Sequence, residues 1–483
     1  MKKNILLASI AGFSVTACTA LPTPTFTSPN LSPATDLVAY NDLSAERSYK
    51  PRRGKLTERE MEMANIAWKY FERNYQETTG LVNAVNDYPS TTLWDTASYL
   101  GGLVAAFELE IIERDEFSKR IVKILKTLNE LDLFRGELPN KVYHTQTAEK
   151  VNYANQSGEI GYSALDLGRF LIWLEIIKNR YPEFSNAIDS SILRWNFCNV
   201  VDSRGTMFGA IIGPDNETMY LQEGRLGYEE YAAKGFQLWD INTYQASLPE
   251  PFNVIATYGV NIPYDSRDPR VLDAHNYVVS ESYVLDAIEF NWDLPTDGNR
   301  NDSVHTDQVT AKFGDLIYEA QVARFRSTGI LTARTEHQLA GPPYFVYDTI
   351  YTDGYAWNTI TEDGRHVPEF AAIALKGALG MWAVWDTPYT DLLFDAIADL
   401  FDPEKGFYEG LFENGSGYID THTANNNGIM LEALLYKQQG KLLTNSKNVS
   451  LWDQTMSDEF QWSANNGKQK CFPDSRLRGT DVR

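Results

Sequence analysis

Carboxylates recur beside aromatic rings at six points along this sequence. Trp94 precedes Asp95, Glu159 stands three residues before Tyr162, and Glu229 and Glu230 lie between Tyr228 and Tyr231. Glu281 comes two residues before Tyr283, Asp353 leads into Tyr355, Trp357 and Asn358, and Tyr418 and Asp420 precede His422 and the run Asn425 to Asn427. Sugars are met by this mixture, because their flat CH faces stack on rings while their hydroxyls bond to Asp, Glu and Asn. Cleaving a glycosidic bond takes one carboxylic acid to protonate the leaving oxygen and one carboxylate to activate water or attack directly. The candidate catalytic residues are therefore Glu159, Glu230, Glu229, Asp95, Asp353 and Asp420. The candidate substrate-binding residues are Trp94, Tyr162, Tyr228, Tyr283, Trp357, Asn358, Tyr418 and Asn426.

Each candidate has a structural alternative. Asp95 and Glu159 fall where a first-turn acid stabilises a helix dipole, Asn425 to Asn427 can cap a helix, and His422 can be a packed, hydrogen-bonded ring. Glu229 and Glu230 are about 100° apart around a helix, so at most one faces a shared cleft. Asp166 lies seven residues after Glu159, on the same helix face two turns on.

These residues need elements to gather them. Helices apolar nearly all round, and so buried on two faces, are read at 92–111, 157–178, 225–240, 275–290, 367–385 and 422–437. Amphipathic helices precede or separate them near 57–74, 115–130, 182–198, 304–326 and 388–400. Six inner helices interleaved with outer ones predict an all-α (α/α)6 toroid with short β segments in the inter-helix loops. The sixth outer helix is due between 241 and 274, but Pro249, Pro251, Pro263 and Pro269 argue against a helix there. A loop that follows an outer helix recurs as Gly80-Leu81-Val82, Gly205-Thr206-Met207 and Gly406-Phe407-Tyr408, each a glycine turn and a short β-like segment. In such a toroid the loops entering the inner helices share one end, which gathers the candidate residues into one cleft.

The N-terminus reads as an export signal. Lys2 and Lys3 precede an apolar run from Ile5 to Val15, shorter than the roughly 20 residues a bilayer span needs. Val15-Thr16-Ala17-Cys18 resembles a lipobox, which predicts a signal peptide over 1–17 and a lipid on Cys18; Thr19 in place of Asp implies the outer membrane. Residues 18–55, rich in Pro, Ser and Thr, read as a tether, 56–440 as the domain, and 441–483 as an irregular tail. Removing Lys2 and Lys3 with the signal takes the formal charge from -22 to -24, which disfavours nucleic acid and anionic lipid as partners, so the membrane is met only through the anchor. Cys198 and Cys471 either pair or remain thiols. No zinc-type spacing and no phosphate-binding glycine pattern is present, and no metal or other cofactor is expected. The expected partner is an oligo- or polysaccharide.

Several segments together resemble the bacterial domain of unknown function 3131 (DUF3131), a glucoamylase-like group, over residues 60–440. They are Leu93 to Leu100, Phe134 to Asn140, Gly158 to Asp166, Pro342 to Tyr347 and Asn426 to Glu432. The resemblance implies the toroid and kinship with glucoamylase-like domains, some of which act on β-1,2-glucans. In that wider group a Gly-Tyr-Asn-Glu segment opens an inner helix. Gly227-Tyr228-Glu229-Glu230 is similar, with Glu229 in place of Asn and Glu230 at the acid. The leading expectation is an envelope glycoside hydrolase. The rivals are a glycan-binding scaffold without catalysis, and a lyase or epimerase using Arg169 or Arg225 to neutralise a uronate.

Overall fold

The structure, a computed structural model, describes residues 49–272, 274–297, 304–444 and 449–456. The expected signal, Cys18 and most of the tether lie outside the described residues, as does Cys471; Cys198 is disulfide-bonded. The helices are α1 (Glu58–Asn74), α2 (Leu93–Glu108), α3 (Arg114–Glu130), α4 (Ala164–Arg180), α5 (Ser185–Ile192) and α6 (Tyr228–Leu238). They continue with α7 (Pro269–Leu272), α8 (Glu281–Phe290), α9 (Gln308–Thr328), α10 (Leu375–Val384), α11 (Pro388–Ile397) and α12 (Ala424–Gln439).

The apolar helices α2, α4, α6, α8, α10 and α12 form a closed ring, each touching the next and α12 returning to α2. Glycines allow the closest crossings. A Cβ on Gly235 of α6 would strike the backbone of Gly168 on α4, and one on Gly428 of α12 would strike Ser98 of α2. The amphipathic helices lie outside, with α1 against α12 and α2, α3 against α2, α5 against α4, α9 against α8 and α11 against α10. Side-chain caps fix where several begin: Thr57 on α1, Thr92 on α2, Ser163 on α4 and Thr423 on α12 each accept from a backbone N–H of their first turn.

The expected sixth outer helix is absent from its place in the chain. Between α6 and α8 stand the antiparallel hairpin Phe252–Thr257/Val260–Asp265 and the single-turn α7. The prolines that argue against a helix here are compatible with a two-stranded hairpin, and Pro263 itself sits in its second strand. Ile262 and Phe252 pack this hairpin against Phe313 and Ile317 of α9. The repeated loops are alike in three dimensions: Gly80, Gly205 and Gly406 all have positive φ, closing turns that pair Tyr75 with Val82, Val201 with Met207 and Phe401 with Phe407.

Two expected boundaries move. Residues 49–55 belong to the folded domain, since Arg52 pairs with Asp386 at 2.9 Å and Asp391 at 2.6 Å and Tyr49 packs edge-on against Tyr318. Residues 451–456 are helical, and Trp452 is buried against Trp239 at 5.1 Å, so this described part of the segment after 440 contributes to the core.

Candidate active site

At one end of the ring a cleft of about 2260 Å³ opens over the N-termini of the inner helices. Its floor is built by first-turn residues. Thr92 caps α2 and its hydroxyl also donates to Asp95 at 2.8 Å, which sets Trp94 and Asp95 facing the cleft. Ser163 caps α4 in the same way, and Asp166 in its first turn lines the floor. Tyr228 opens α6, Lys376 lies near the start of α10, and Asn425 opens into the cleft from α12.

Glu281, at the start of α8, anchors the floor from beneath. Its carboxylate accepts from Trp94 Nε1 at 3.1 Å and Asn425 Nδ2 at 2.9 Å, and pairs with Lys376 Nζ at 2.5 Å. Burial alone pushes this carboxyl up, but Lys376 and Arg169 outweigh it and hold Glu281 below its ordinary value. Arg169 lies fully buried under the Trp94 ring at 4.8 Å, bonded to Ser98, Asn425 and Glu432. This arginine is committed to the interior and is not free to neutralise a substrate.

Two cleft carboxyls are poised differently. Burial and the neighbouring charges of Glu223 and Asp95 push Asp166 up to about 7. Burial and the charge of Glu281 push Glu336 up to about 7 against the opposing pull of Lys376. Tyr228 donates its hydroxyl to Glu336 Oε1 at 2.6 Å, while Oε2 has no partner among the described residues. Asp95 is raised by burial, opposed by the Thr92 hydroxyl and by the charges of Lys376 and Arg169. The cleft thus holds two carboxyls that keep a proton near neutrality, above a buried carboxylate, Glu281, whose neighbours favour its charge.

The sequence candidates divide. Asp95, Asp353 and Asp420 line the cleft, as do Trp94 and Tyr228. Asp353 is tied to His275 at 2.6 Å on the wall, and Asp420 is exposed. Glu159 is not in this cleft. The helix begins at Ala164, later than expected, so Glu159 stays on the loop before it, held by Lys150 and by Arg135 at 3.4 Å beside a separate smaller pocket. Neither Glu229 nor Glu230 lines the cleft. Gly227, at φ 101°, turns the chain so that Glu230 folds back to accept from Gly227 N at 2.6 Å and from Glu250 N at 3.1 Å. Glu229 is buried against Gln222, with Arg267 at 3.9 Å. Burial drives both upward, Glu230 to about 8.

Among the proposed binding residues, Tyr162 is buried against Phe134, and Tyr283 is buried behind Gly227. Trp357 donates to Thr257 under the guanidinium of Arg324, and Asn358 bonds His366. Tyr418 stacks on Tyr408 outside the cleft lining, and Asn426 is consumed by the backbone of Lys376 and Tyr408. His422 packs on Tyr408 and bonds the carbonyl of Phe407.

Sequence reasoning passed over Glu223, Glu336, Lys376, Glu409, Tyr277 and Tyr347, all of which line the cleft. Tyr347 ends the segment Pro342 to Tyr347 that carries part of the family resemblance, which was the available signal for this wall. Among the described residues no cluster of His, Cys, Asp and Glu has metal-binding geometry, and no helix is long and apolar enough to cross a membrane.

The helical ring is similar in fold to solved structures of glucoamylase-like and β-1,2-glucanase proteins. A candidate glucoamylase from Bacteroides caccae superposes with a TM-score of 0.57 at 12% identity, covering 79% of this chain and 94% of its own. An endo-β-1,2-glucanase from Chitinophaga pinensis, in complex with sophorotriose and glucose, gives 0.54 at 12% identity, covering 80% and 94%. An endo-β-1,2-glucanase from Talaromyces funiculosus, with sophorose, gives 0.52 at 12% identity, covering 84% and 87%. At such identities the likeness is one of fold. No curated protein sequence matches the chain. Residues 62–440 match the model described as protein of unknown function (DUF3131), and the chain belongs to that family.

Proposed function

We propose that this protein is a glycoside hydrolase acting on a glucan from within an (α/α)6 toroid, with the 252–265 hairpin standing where a sixth outer helix would be. The observation that carries the reading is Glu336: a cleft carboxyl near pKa 7, oriented by Tyr228 through one oxygen and unpartnered at the other. In the proposed reaction Glu336 gives its proton to the glycosidic oxygen as the bond to the anomeric carbon breaks. Asp95 supplies the ionised carboxylate that takes a proton from the attacking water, whose oxygen joins the anomeric carbon. Asp166, kept partly protonated by burial and by the charges of Glu223 and Asp95, hydrogen-bonds a sugar hydroxyl at the floor, and Trp94 offers a ring face beside it. β-1,2-linked glucans are the first substrates to test, given what the glucanases of this fold hydrolyse. Export and lipidation at Cys18, with residence in the outer membrane, complete the proposal.

The test is reducing-end release from β-1,2-, β-1,3- and α-1,4-glucans by the wild type and by Glu336→Gln. Glu336→Gln should retain glycan binding and lose turnover, because an amide cannot deliver the proton. Binding by the wild type with no sugar released at any pH would leave a glycan-binding scaffold in place of an enzyme, and unsaturated products would identify a lyase.

A further inference from the structure

We propose that the cleft wall formed by Tyr277, Tyr347 and Phe345 is a series of distal sugar subsites, so that the ligand is a chain of several sugar units and not a disaccharide. This rests on the glycan reading above but concerns binding, not bond cleavage.

The rings form a continuous row from floor to rim. Trp94 and Tyr228 are 5.6 Å apart between centroids, Tyr228 and Tyr277 5.8 Å, Tyr277 and Tyr347 4.8 Å, and Tyr347 and Phe345 5.1 Å. All five line the cleft, and Tyr344 beyond them is 59% exposed at its edge. Interior aromatics lose their surface to neighbours. Tyr277, Tyr347 and Phe345 instead remain half-buried on the cleft lining, Tyr277 and Tyr347 stacked on each other. Only the first two rings stand on inner helices; the other three continue the row along the wall, on the segment before α8 and on the strand Phe345–Asp348.

The wall is braced as a platform. Tyr277 lies on the segment before α8 and Tyr347 on the strand Phe345–Asp348. These segments are joined by Val278 N to Tyr351 O at 2.8 Å and Ile350 N to Val278 O at 2.9 Å. Asn276 accepts from Asp353 N at 2.8 Å, and His275 spans Asp353 Oδ2 at 2.6 Å and the Glu362 carbonyl at 3.0 Å. A wall held this way presents its rings before ligand arrives, so stacking does not have to offset the ordering of a loop. Sugar units added along this row of rings should therefore strengthen binding.

The experiment is calorimetric titration with linear β-1,2-, β-1,3- and α-1,4-gluco-oligosaccharides of two to seven units, using wild type, Tyr347→Ala and Tyr347→Phe. Wild-type affinity for the bound series should climb with each added unit beyond the shortest. In Tyr347→Ala the longest member should lose about tenfold, roughly what truncating one buried aromatic anchor costs, and affinity should stop climbing. Tyr347→Phe should restore the climb, since the ring and not the hydroxyl is required. Equal affinity at all lengths in the wild type, an equal loss at every length in Tyr347→Ala, or binding to none of the three series would overturn the proposal. Because binding is read directly, chain-length dependence with no hydrolysis would retain the subsites while removing the catalytic reading.

Discussion

The floor of the cleft and the axis of the ring beneath it are built from the same residue types and do opposite things. In the axis, charged groups pair with one another within the ring, although Arg169 Nε and Glu432 Oε2 have no hydrogen-bond partner among the described residues. Lys234 is held between Asp286 at 2.7 Å and Asp307 at 2.9 Å, Arg169 bonds Glu432 at 3.2 Å, and Glu289 accepts from Trp173 at 2.9 Å and Tyr231 at 2.6 Å. At the floor, Asp166 and Glu336 are raised to about 7 with acids among their nearest charges and a surface left open to the cleft. The difference is one of place: Asp166 and Glu336 line the cleft, and Glu289 and Glu432 do not. Glu289, with both oxygens satisfied within the ring, is a strut, whereas Glu336 lies on the cleft lining with one oxygen held by Tyr228 and the other buried without a partner among the described residues. Glu281 marks the boundary, lying directly under the floor yet fully engaged by Trp94, Asn425 and Lys376.

Substitutions on the two sides should separate cleanly. The largest effect is expected at the floor: Asp95→Asn should lower kcat by about 10²–10⁴-fold, the usual contribution of a positioned acid or base, with an unchanged circular dichroism spectrum. An active Asp95→Asn would break the distinction. On the axis, Arg169→Met should cost about 3–5 kcal/mol of stability in denaturant titration, because Glu432 is left charged or neutralised without its partner. A fully stable variant would mean that the buried pair is not a strut.

A smaller effect is expected from pH. Burial holds Asp286 and Glu289 at about 7, above their unfolded values near 4. The stability they contribute is therefore complete below about pH 4 and is lost as pH rises through about 7. Thermal unfolding should move to lower temperature between pH 5 and pH 8, and Glu289→Gln should flatten that slope; an identical slope in the variant would contradict the assignment. The smallest effect belongs to Glu159, a half-exposed acid paired with Lys150 and Arg135 outside the cleft. Glu159→Gln should change stability by less than about 1 kcal/mol and leave the progress curve on glucan superimposable on that of the wild type.

The ring itself was legible because its inner helices are apolar on both faces and its outer helices are not, a contrast that survives without any alignment. Trp94, Asp95 and Tyr228 were legible as cleft-lining residues because first-turn positions of inner helices share one end of the ring. The same rule misled at Glu159, where the helix starts at Ala164 and the acid is left on the approach loop. It misled again at Glu230, where a glycine at positive φ turns the carboxylate back onto its own helix N-terminus. Glu336, Tyr277 and Tyr347 had no helical period to mark them. They stand on extended segments whose positions depend on long-range pairing, such as Val278 with Tyr351, which local pattern does not encode.

The central claim, that Glu336 is the proton donor and Tyr228 orients it, is tested most directly by the pH dependence of kcat/KM for wild type and Tyr228→Phe. The wild type should give a bell whose alkaline limb falls near pH 7 as Glu336 ionises. Removing the Tyr228 hydroxyl, which stabilises the ionised carboxylate, should move that limb to higher pH while leaving the acid limb in place. An alkaline limb that stays where it was in Tyr228→Phe, or a wild-type rate that does not fall above neutrality, would contradict the account.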